Sequence, residues 1–275
     1  MKLRLWGTRG SVARAGEETI RYGGDTASVE VQGRDGSILL LDAGSGLLRA
    51  SAGMASAERI DLLITHLHMD HVQGLGFFPP LRRAEVETHI WGPISTTESL
   101  EERLRRYLSP PLFPVRVRDL QEVHLHDVGP GTYEIGPFRV TADLIIHPGP
   151  TLGFRIEENG GGTLAYLPDH EPALGHVELE ADPRWTSGFD LARGADVLIH
   201  DAQYTEEEYL DRIGWGHSTL QHAIALATLA EVATLVPFHH DPEHSDDMLD
   251  EMMAQAEMPS GTDLVPGKFG LELEV

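Results

Sequence analysis

Positions 65 to 71 read Thr65-His66-Leu67-His68-Met69-Asp70-His71, three imidazoles and a carboxylate within six positions, directly after the apolar run Ile60-Asp61-Leu62-Leu63-Ile64. Imidazole nitrogen and carboxylate oxygen at this density are ligands for zinc or a similar divalent ion. The plainer alternative, a polar loop with scattered histidines, explains four ligand-type residues in so short a span less well. The preceding run is short and rich in branched aliphatics, as a buried strand is. If that extended geometry continues, His66 and His68 project to one side, because strand side chains repeat every second residue. Asp70 and His71 then follow as the chain turns.

Three further candidates stand where the chain leaves an apolar strand: His147 after Asp143-Leu144-Ile145-Ile146, Asp169 after Leu164-Ala165-Tyr166-Leu167-Pro168, and His239 after Leu235-Val236-Pro237-Phe238. Strand ends are where a rigid scaffold presents side chains to a shared cleft. Each residue alone has a plain structural explanation. Together the seven supply five histidines and two aspartates, enough for two ions with one bridging carboxylate. The division they suggest puts His66, His68 and His147 on one ion and Asp70, His71 and His239 on the other, with Asp169 shared. His240 beside His239 and His170 beside Asp169 compete for the same places. Strand alternation sends neighbours in opposite directions, so one member of each pair should reach the metals.

The elements that must position these residues open as a β-rich meander: Lys2–Trp6, Ala27–Gln32, Ser37–Asp42 and Ile60–Thr65, with Gly-rich turns between the early strands. Thr96–Leu108 has helical composition, and Gln121–His126 and Phe138–Ile146 read as strands. Leu152–Glu157 and Thr163–Leu167 read as a hairpin around Asn159-Gly160-Gly161-Gly162. The last third alternates strand Asp196–His200, helix Ser218–Ala230, strand Thr234–Phe238 and helix Ser245–Ala256. Such an order suggests two packed sheets with helices on the outer faces. No linker, repeat or low-complexity tract divides the 275 residues, so a single domain over 1–275 is expected.

Composition limits the partners. The net charge of −23 disfavours a long nucleic acid, whose binding draws on Lys/Arg neutralising phosphates. Lys2 and Lys268 are the only lysines, and the arginine clusters Arg82/Arg83 and Arg103/Arg105/Arg106 could meet a small anion or pair with glutamates such as Glu101 and Glu102. No signal-peptide core or membrane-length apolar run is present, so a soluble, cytoplasmic protein is expected. The absence of cysteine excludes disulfides, thiolate ligands and a cysteine nucleophile.

His66-Leu67-His68-Met69-Asp70-His71 resembles the HxHxDH motif of the metallo-β-lactamase superfamily, and the resemblance covers nearly the whole chain. The family pattern of a later histidine, a bridging aspartate and a near-C-terminal histidine matches His147, Asp169 and His239. It implies an α/β fold, the four-layer αβ/βα sandwich, with a dinuclear site along one edge of the two sheets. Zinc is the default metal, with manganese or iron as alternatives. Fold alone leaves the substrate open.

Leu198-Ile199-His200-Asp201-Ala202-Gln203-Tyr204 and Gly214-Trp215-Gly216-His217-Ser218-Thr219 look like the phosphodiesterase branch of tRNase Z and related cyclic phosphodiesterases. There an acidic residue pairs with the histidine of a GHST segment beside the leaving oxygen. Asp201 and His217 stand at those positions, with aspartate where the tRNA enzymes usually carry glutamate. Ser218 also reads as the N-cap of the following helix. The implied chemistry is attack by a metal-bridging hydroxide on phosphorus, with His217 protonating the departing alkoxide and Asp201 holding the ring. Asp70 could help orient the attacking water.

Trp6-Gly7-Thr8-Arg9-Gly10-Ser11 and Arg21-Tyr22-Gly23-Gly24-Asp25-Thr26 resemble cleft-side turns of the same branch, while Tyr107-Leu108-Ser109-Pro110-Pro111-Leu112-Phe113-Pro114 reads as a lid, a rigid connection or a dimer contact. The tRNA-gripping arm of tRNase Z lies between the equivalents of His147 and Asp169, where only Pro148–Pro168 stands here. A small cyclic or linear phosphodiester, such as a cyclic nucleotide or a phosphoribosyl cyclic phosphate, is therefore the expected substrate. The alternatives are a lactonase or glyoxalase-II-type thioesterase, an RNA-processing nuclease of tRNase Z type, and a non-catalytic nucleotide-binding module. Relatives are often dimers, so a homodimer is also an expectation.

Overall fold

A computed structural model of the chain describes residues 1–275 except 173, 175–178, 180 and 181. Its strands are β1 (Lys2–Gly7), β2 (Ser28–Gln32), β3 (Ile38–Leu41), β4 (Arg59–Leu63), β5 (Glu87–Pro93), β6 (Val123–Val128), β7 (Gly131–Ile135), β8 (Phe138–Leu144), β9 (Leu152–Glu158), β10 (Thr163–Leu167), β11 (Val197–Asp201), β12 (Thr234–Phe238), β13 (Asp263–Leu264) and β14 (Glu272–Glu274). They form two seven-stranded sheets, ordered β14-β1-β2-β3-β4-β5-β6 and β13-β12-β11-β10-β9-β8-β7. Each sheet is antiparallel in one part and parallel in the other: β3 to β6 run parallel, as do β10 to β13.

The central strands are apolar at consecutive positions because both of their faces are covered. Leu39 and Leu41 pack between the sheets while Leu40 faces the opposite way. In the second sheet Leu164, Tyr166, Val197, Ile199, Val236 and Phe238 fill the same inter-sheet core, and Ala165, Leu167, Leu198 and Leu235 join the outer one. Helix Leu100–Tyr107 covers the outer face of the first sheet through Leu100 and Leu104. Helix Leu220–Leu229 covers the second through Ala223, Leu226 and Ala227. The result is the four-layer αβ/βα sandwich.

Several element limits differ from those expected of the sequence. β5 and β7 lie outside the expected strands, as do the short β13 and β14. β5 presents Glu87 and His89 on its less buried side and ends in Gly92-Pro93, so its hydrophobic signal is confined to one face. The helix after His217 is capped by Thr219, whose hydroxyl accepts the His222 amide at 3.2 Å, and not by Ser218. The Ser218 hydroxyl instead donates to the His170 carbonyl. Among the described residues no helix is long and apolar enough to cross a membrane.

Parallel pairing decides where the chemistry can gather. The carboxyl ends of β10, β11 and β12 lie along one edge, and β8, two antiparallel steps from β10, points the same way. Asp169, Asp201, His239 and His147 follow those ends. β3 and β4 deliver Asp42 and the 66–71 segment from the other sheet, as the ligand-at-the-carboxyl-end rule for parallel strands anticipates.

Candidate metal centre

His66, His68 and His147 converge in one group, and Asp70, His71, Asp169 and His239 in another. Asp169 faces both. Its Oδ1 lies 3.0 Å from His71 Nε2, and its Oδ2 lies 3.3 Å from His239 Nε2, 3.7 Å from His66 Nε2 and 3.8 Å from His147 Nε2. His68 Nδ1 and His147 Nε2 are 3.2 Å apart. In the second group His71 Nε2 and His239 Nε2 are 3.3 Å apart, and Asp70 Oδ2 lies 3.3 and 3.2 Å from them. Ligand atoms about 2.0–2.1 Å from one tetrahedral ion are about 3.4 Å from each other, so these spacings fit a divalent cation in each group.

In four of the five histidines the outer nitrogen is spoken for, the exception being the exposed His68, which turns Nδ1 toward His147. His71 Nδ1 donates to Asp42 Oδ2 at 2.8 Å, His147 Nδ1 to the Gly216 carbonyl at 2.8 Å, and His239 Nδ1 to Gln203 Oε1 at 2.9 Å. His66 Nδ1 meets the Thr65 hydroxyl at 3.1 Å, and that hydroxyl reaches Asp42 at 3.0 Å. A proton held on Nδ1 leaves the Nε2 lone pair pointing inward, the tautomer a metal ligand needs. His66 Nε2 and Asp169 Oδ1 are buried without a hydrogen-bond partner. Buried polar atoms are rarely orphaned, and here both point into the cluster where cations would sit. The residues present therefore fit two divalent ions.

Electrostatics agree with that fit. Burial, then the neighbouring His71, pushes His66 far below the ordinary histidine range, and burial takes His147 down to about 4. Asp169 stays well below the usual carboxylate range although burial opposes it, because His239 and His71 favour its charged form. The same carboxylate pushes His71 and His239 upward against burial. Asp70 is likewise held low against its own desolvation, by His71 and by a hydrogen bond from His239. This donor set concentrates negative charge that demands positive charge in its midst.

Local backbone explains which histidine of each pair enters. β4 ends at Leu63, before the motif, so His66 and His68 share a side through extended loop backbone and not through strand pleat; His68 has φ −64° and ψ 152°. His239 takes a left-handed φ of 58°, which aims its ring inward. His240 turns away, donating from Nε2 to the Gly267 carbonyl at 2.8 Å. His170 also leaves the cluster, pairing with His200 at 2.9 Å. A Cβ on Gly10 would collide with His239 Nδ1, so only glycine permits that approach.

His217 stands beside the second group with its ring stacked 5.0 Å from His239. Its Nδ1 is 2.7 Å from Asp201 Oδ2, so aspartate has the reach that the pairing requires. Asp201 is itself fixed: Oδ1 accepts the Ser218 and Gln203 amides at 2.8 and 3.0 Å. With Nδ1 engaged, Nε2 is the nitrogen left for a substrate atom. Asp70 Oδ2 accepts the Ser11 amide at 2.8 Å, tying the opening Trp6–Ser11 turn to the centre. Asp25 and Thr26 bond Ser45, and Gln73 donates to Thr26, contacts that account for both as turn residues.

Four contributors stand outside the residues singled out from the sequence: Asp42, Thr65, Gln203 and Tyr166, whose hydroxyl donates to Asp42 at 2.9 Å. Asp42 carries a readable signal, since it follows the apolar Ile38–Leu41 as Asp169 follows its own strand.

A cleft of about 710 Å³ opens beside His66 and His68, walled by Leu67, Met69, Leu104, Tyr107, Leu112 and Pro148. The Tyr107–Pro114 segment is one wall, anchored by the Tyr107 hydroxyl on the Gln73 carbonyl at 2.6 Å and by buried Phe113. Arg103 and Arg106 reach its rim but pair with Asp127 and Glu98, Arg105 pairs with Glu101, and Glu102 caps its own helix through Ser99. Residues 148–168 are spent on the β9–β10 hairpin.

The family model described as a beta-lactamase superfamily domain matches residues 37–240. A protein named Ribonuclease Z from Thermococcus onnurineus is 28% identical over 263 aligned positions, covering 80% of each chain. Among solved structures, the metallo-beta-lactamase fold protein YhfI from Bacillus subtilis matches with a TM-score of 0.70 and 21% identity, covering 100% of this chain and 98% of that one. A structure described as a new diphosphatase from the PhnP family matches with a TM-score of 0.68 and 20% identity, covering 100% and 96%.

Proposed function

Because this chain belongs to the beta-lactamase superfamily, we propose that it is a metal-dependent phosphodiesterase acting on small cyclic or linear phosphodiesters, with His217 as general acid. The observation that carries the reading is the Asp201–His217 pair, 2.7 Å apart beside the seven-residue cluster. Hydrolysis of a lactone or thioester has less use for a second, carboxylate-held imidazole outside the ligand set.

Two divalent cations held by His66, His68, His147, Asp169, Asp70, His71 and His239 would supply an activated water and neutralise charge at phosphorus. The chain's own residues do the rest. Asp201 accepts from His217 Nδ1, which fixes the ring, and His217 Nε2 delivers a proton to the leaving oxygen. Ser11 and His239 hold Asp70 in place, so its second oxygen can orient a water. The apolar wall of Leu67, Met69, Leu104 and Leu112 gives the substrate's organic body a surface to bury, which favours a compact ester such as a cyclic nucleotide.

A ribonuclease of tRNase Z type is the second reading, favoured by the likeness to the Thermococcus protein named Ribonuclease Z. Against it stand the net charge of −23, the paired rim arginines and the use of 148–168 for a sheet hairpin. The deciding experiment assays metal-replete protein on bis(p-nitrophenyl) phosphate, on 2′,3′- and 3′,5′-cyclic nucleotides and on a precursor tRNA. Turnover of the small esters without cleavage of the RNA is expected. RNA cleavage alone favours the second reading, and inactivity on every phosphodiester contradicts both.

A further inference from the structure

A second group of imidazoles occupies the first sheet at the opposite end of β5 from the cleft. β5 and β6 run parallel with His89 beside His124 and Trp91 beside His126. The cleft reaches β5 at Pro93, whereas Glu87 and His89 lie at its start, so the two places are separated by most of a strand of roughly 20 Å. Glu87 Oε1 lies 2.9 Å from His89 Nε2 and 3.9 Å from His124 Nε2. The His89 and His124 rings stack 4.8 Å apart at 25°.

The group is held from behind. His126 Nε2 meets His89 Nδ1 at 2.9 Å, and the His126 ring stacks on Trp91 at 3.8 Å. Trp91 Nε1 donates to Asp61 at 3.0 Å, and Asp61 is clamped by Arg59 at 2.8 and 3.0 Å. Asp61 is thus neutralised by its arginine, while His89 is oriented through its outer nitrogen, as metal-bound histidines are. A polar pair made only for strand cohesion has no need of a third ring whose Nε2 faces the same carboxylate oxygen.

We propose that Glu87 Oε1, His89 Nε2 and His124 Nε2 form a separate binding site for a late first-row divalent cation of the nickel, copper or zinc type. Two imidazoles and one carboxylate suit these ions, and the three donor atoms already lie within 4.8 Å of one another, with His124 to be drawn inward from its 3.9 Å to Glu87. The ion takes each imidazole through an unprotonated Nε2, with the His89 proton held on Nδ1 toward His126, so protons compete with the cation and affinity falls on acidification. The ion joins edge strand β6 to β5, fastening a strand whose other side has no partner in the sheet.

The test uses the full chain, dialysed to equilibrium against nickel chloride at pH 7.5, with nickel per chain measured for wild type, His124→Ala and Glu87→Gln. One equivalent fewer in each variant is expected, with turnover of bis(p-nitrophenyl) phosphate within twofold of wild type. Glu87 and His124 are about half exposed, and Glu87→Gln keeps its volume, so it carries the expectation should His124→Ala fold poorly. Equal nickel content and equal affinity in wild type and Glu87→Gln would overturn the proposal. So would loss of nickel from both sites together with turnover in well-folded Glu87→Gln, which would leave no independent second site.

Discussion

The protein carries two clusters built from the same kinds of donor, imidazole and carboxylate, and they differ in what surrounds them. At the carboxyl strand ends the rings of His66, His71, His147 and His239 are buried, and each outer nitrogen is met by Thr65, Asp42, Gly216 or Gln203. On β5 and β6, Glu87 and His124 are about half exposed, and only His89 has such support, from His126. Donor identity alone is therefore a weak guide to chemistry. Burial strengthens every charge interaction, and outer partners fix the tautomer; together they separate a reaction centre from a place that can bind an ion.

Substitutions can break or sharpen that contrast. The largest effect is expected at Asp169, which faces both ligand groups: Asp169→Asn should lose bound metal and reduce phosphodiester turnover by about a thousandfold or more, since the activated water depends on the ions. Elemental analysis beside the assay checks this. His217→Ala should lower turnover of alkyl phosphodiesters by roughly 10²–10⁴, the usual worth of a positioned general acid, while metal content stays unchanged. Asp42→Asn leaves the ligands in place but weakens the His71 and Thr65 contacts. About a 10–100-fold loss of metal affinity is expected from competition with a chelator.

Acid sensitivity gives a smaller effect. Burial pushes His200 down to about 4, with Asp201 opposing it. In the unfolded chain a histidine titrates near 6.5, so the unfolded state binds the extra proton between those values. The neutral ring's contribution is complete above about pH 6.5 and is lost as pH falls toward 4, on the order of 3 kcal/mol. Denaturant midpoints across that window should decline less steeply for His200→Asn than for wild type, both metal-free. Smallest of all is the effect of His124→Ala on turnover, expected within twofold; a tenfold loss would mean the two clusters are coupled.

Most of the candidate metal centre is legible in the amino-acid sequence alone. Placing ligands after short branched-aliphatic strands nominates His147, Asp169 and His239, because the parallel run β10 to β12, with β8 two antiparallel steps from β10, gathers these strand ends at one edge. Nothing in the sequence signals that His239 adopts a left-handed backbone, so strand alternation separates His239 from His240 by a geometry the chain does not use. Gln203 carries no local signal. It reaches His239 only because β11 and β12 pair with Asp201 beside Phe238. β5 is hidden because polar Glu87 and His89 dilute its pattern, and the second histidine cluster is hidden with it. β13 and β14, two and three residues long, are too short for any periodicity to register.

Proton delivery from His217 Nε2 to the leaving oxygen is tested most directly by how the His217→Ala penalty depends on the leaving group. Wild type and variant, equally metal-loaded, are compared on a series of phosphodiesters running from nitrophenyl to unactivated alkyl esters. A general acid matters more as the departing oxygen becomes more basic. The penalty should be small for p-nitrophenolate and grow steadily along the series, reaching its full size on alkyl esters. A penalty that is the same for every ester would contradict that role and leave His217 as a residue that shapes the site without giving up a proton.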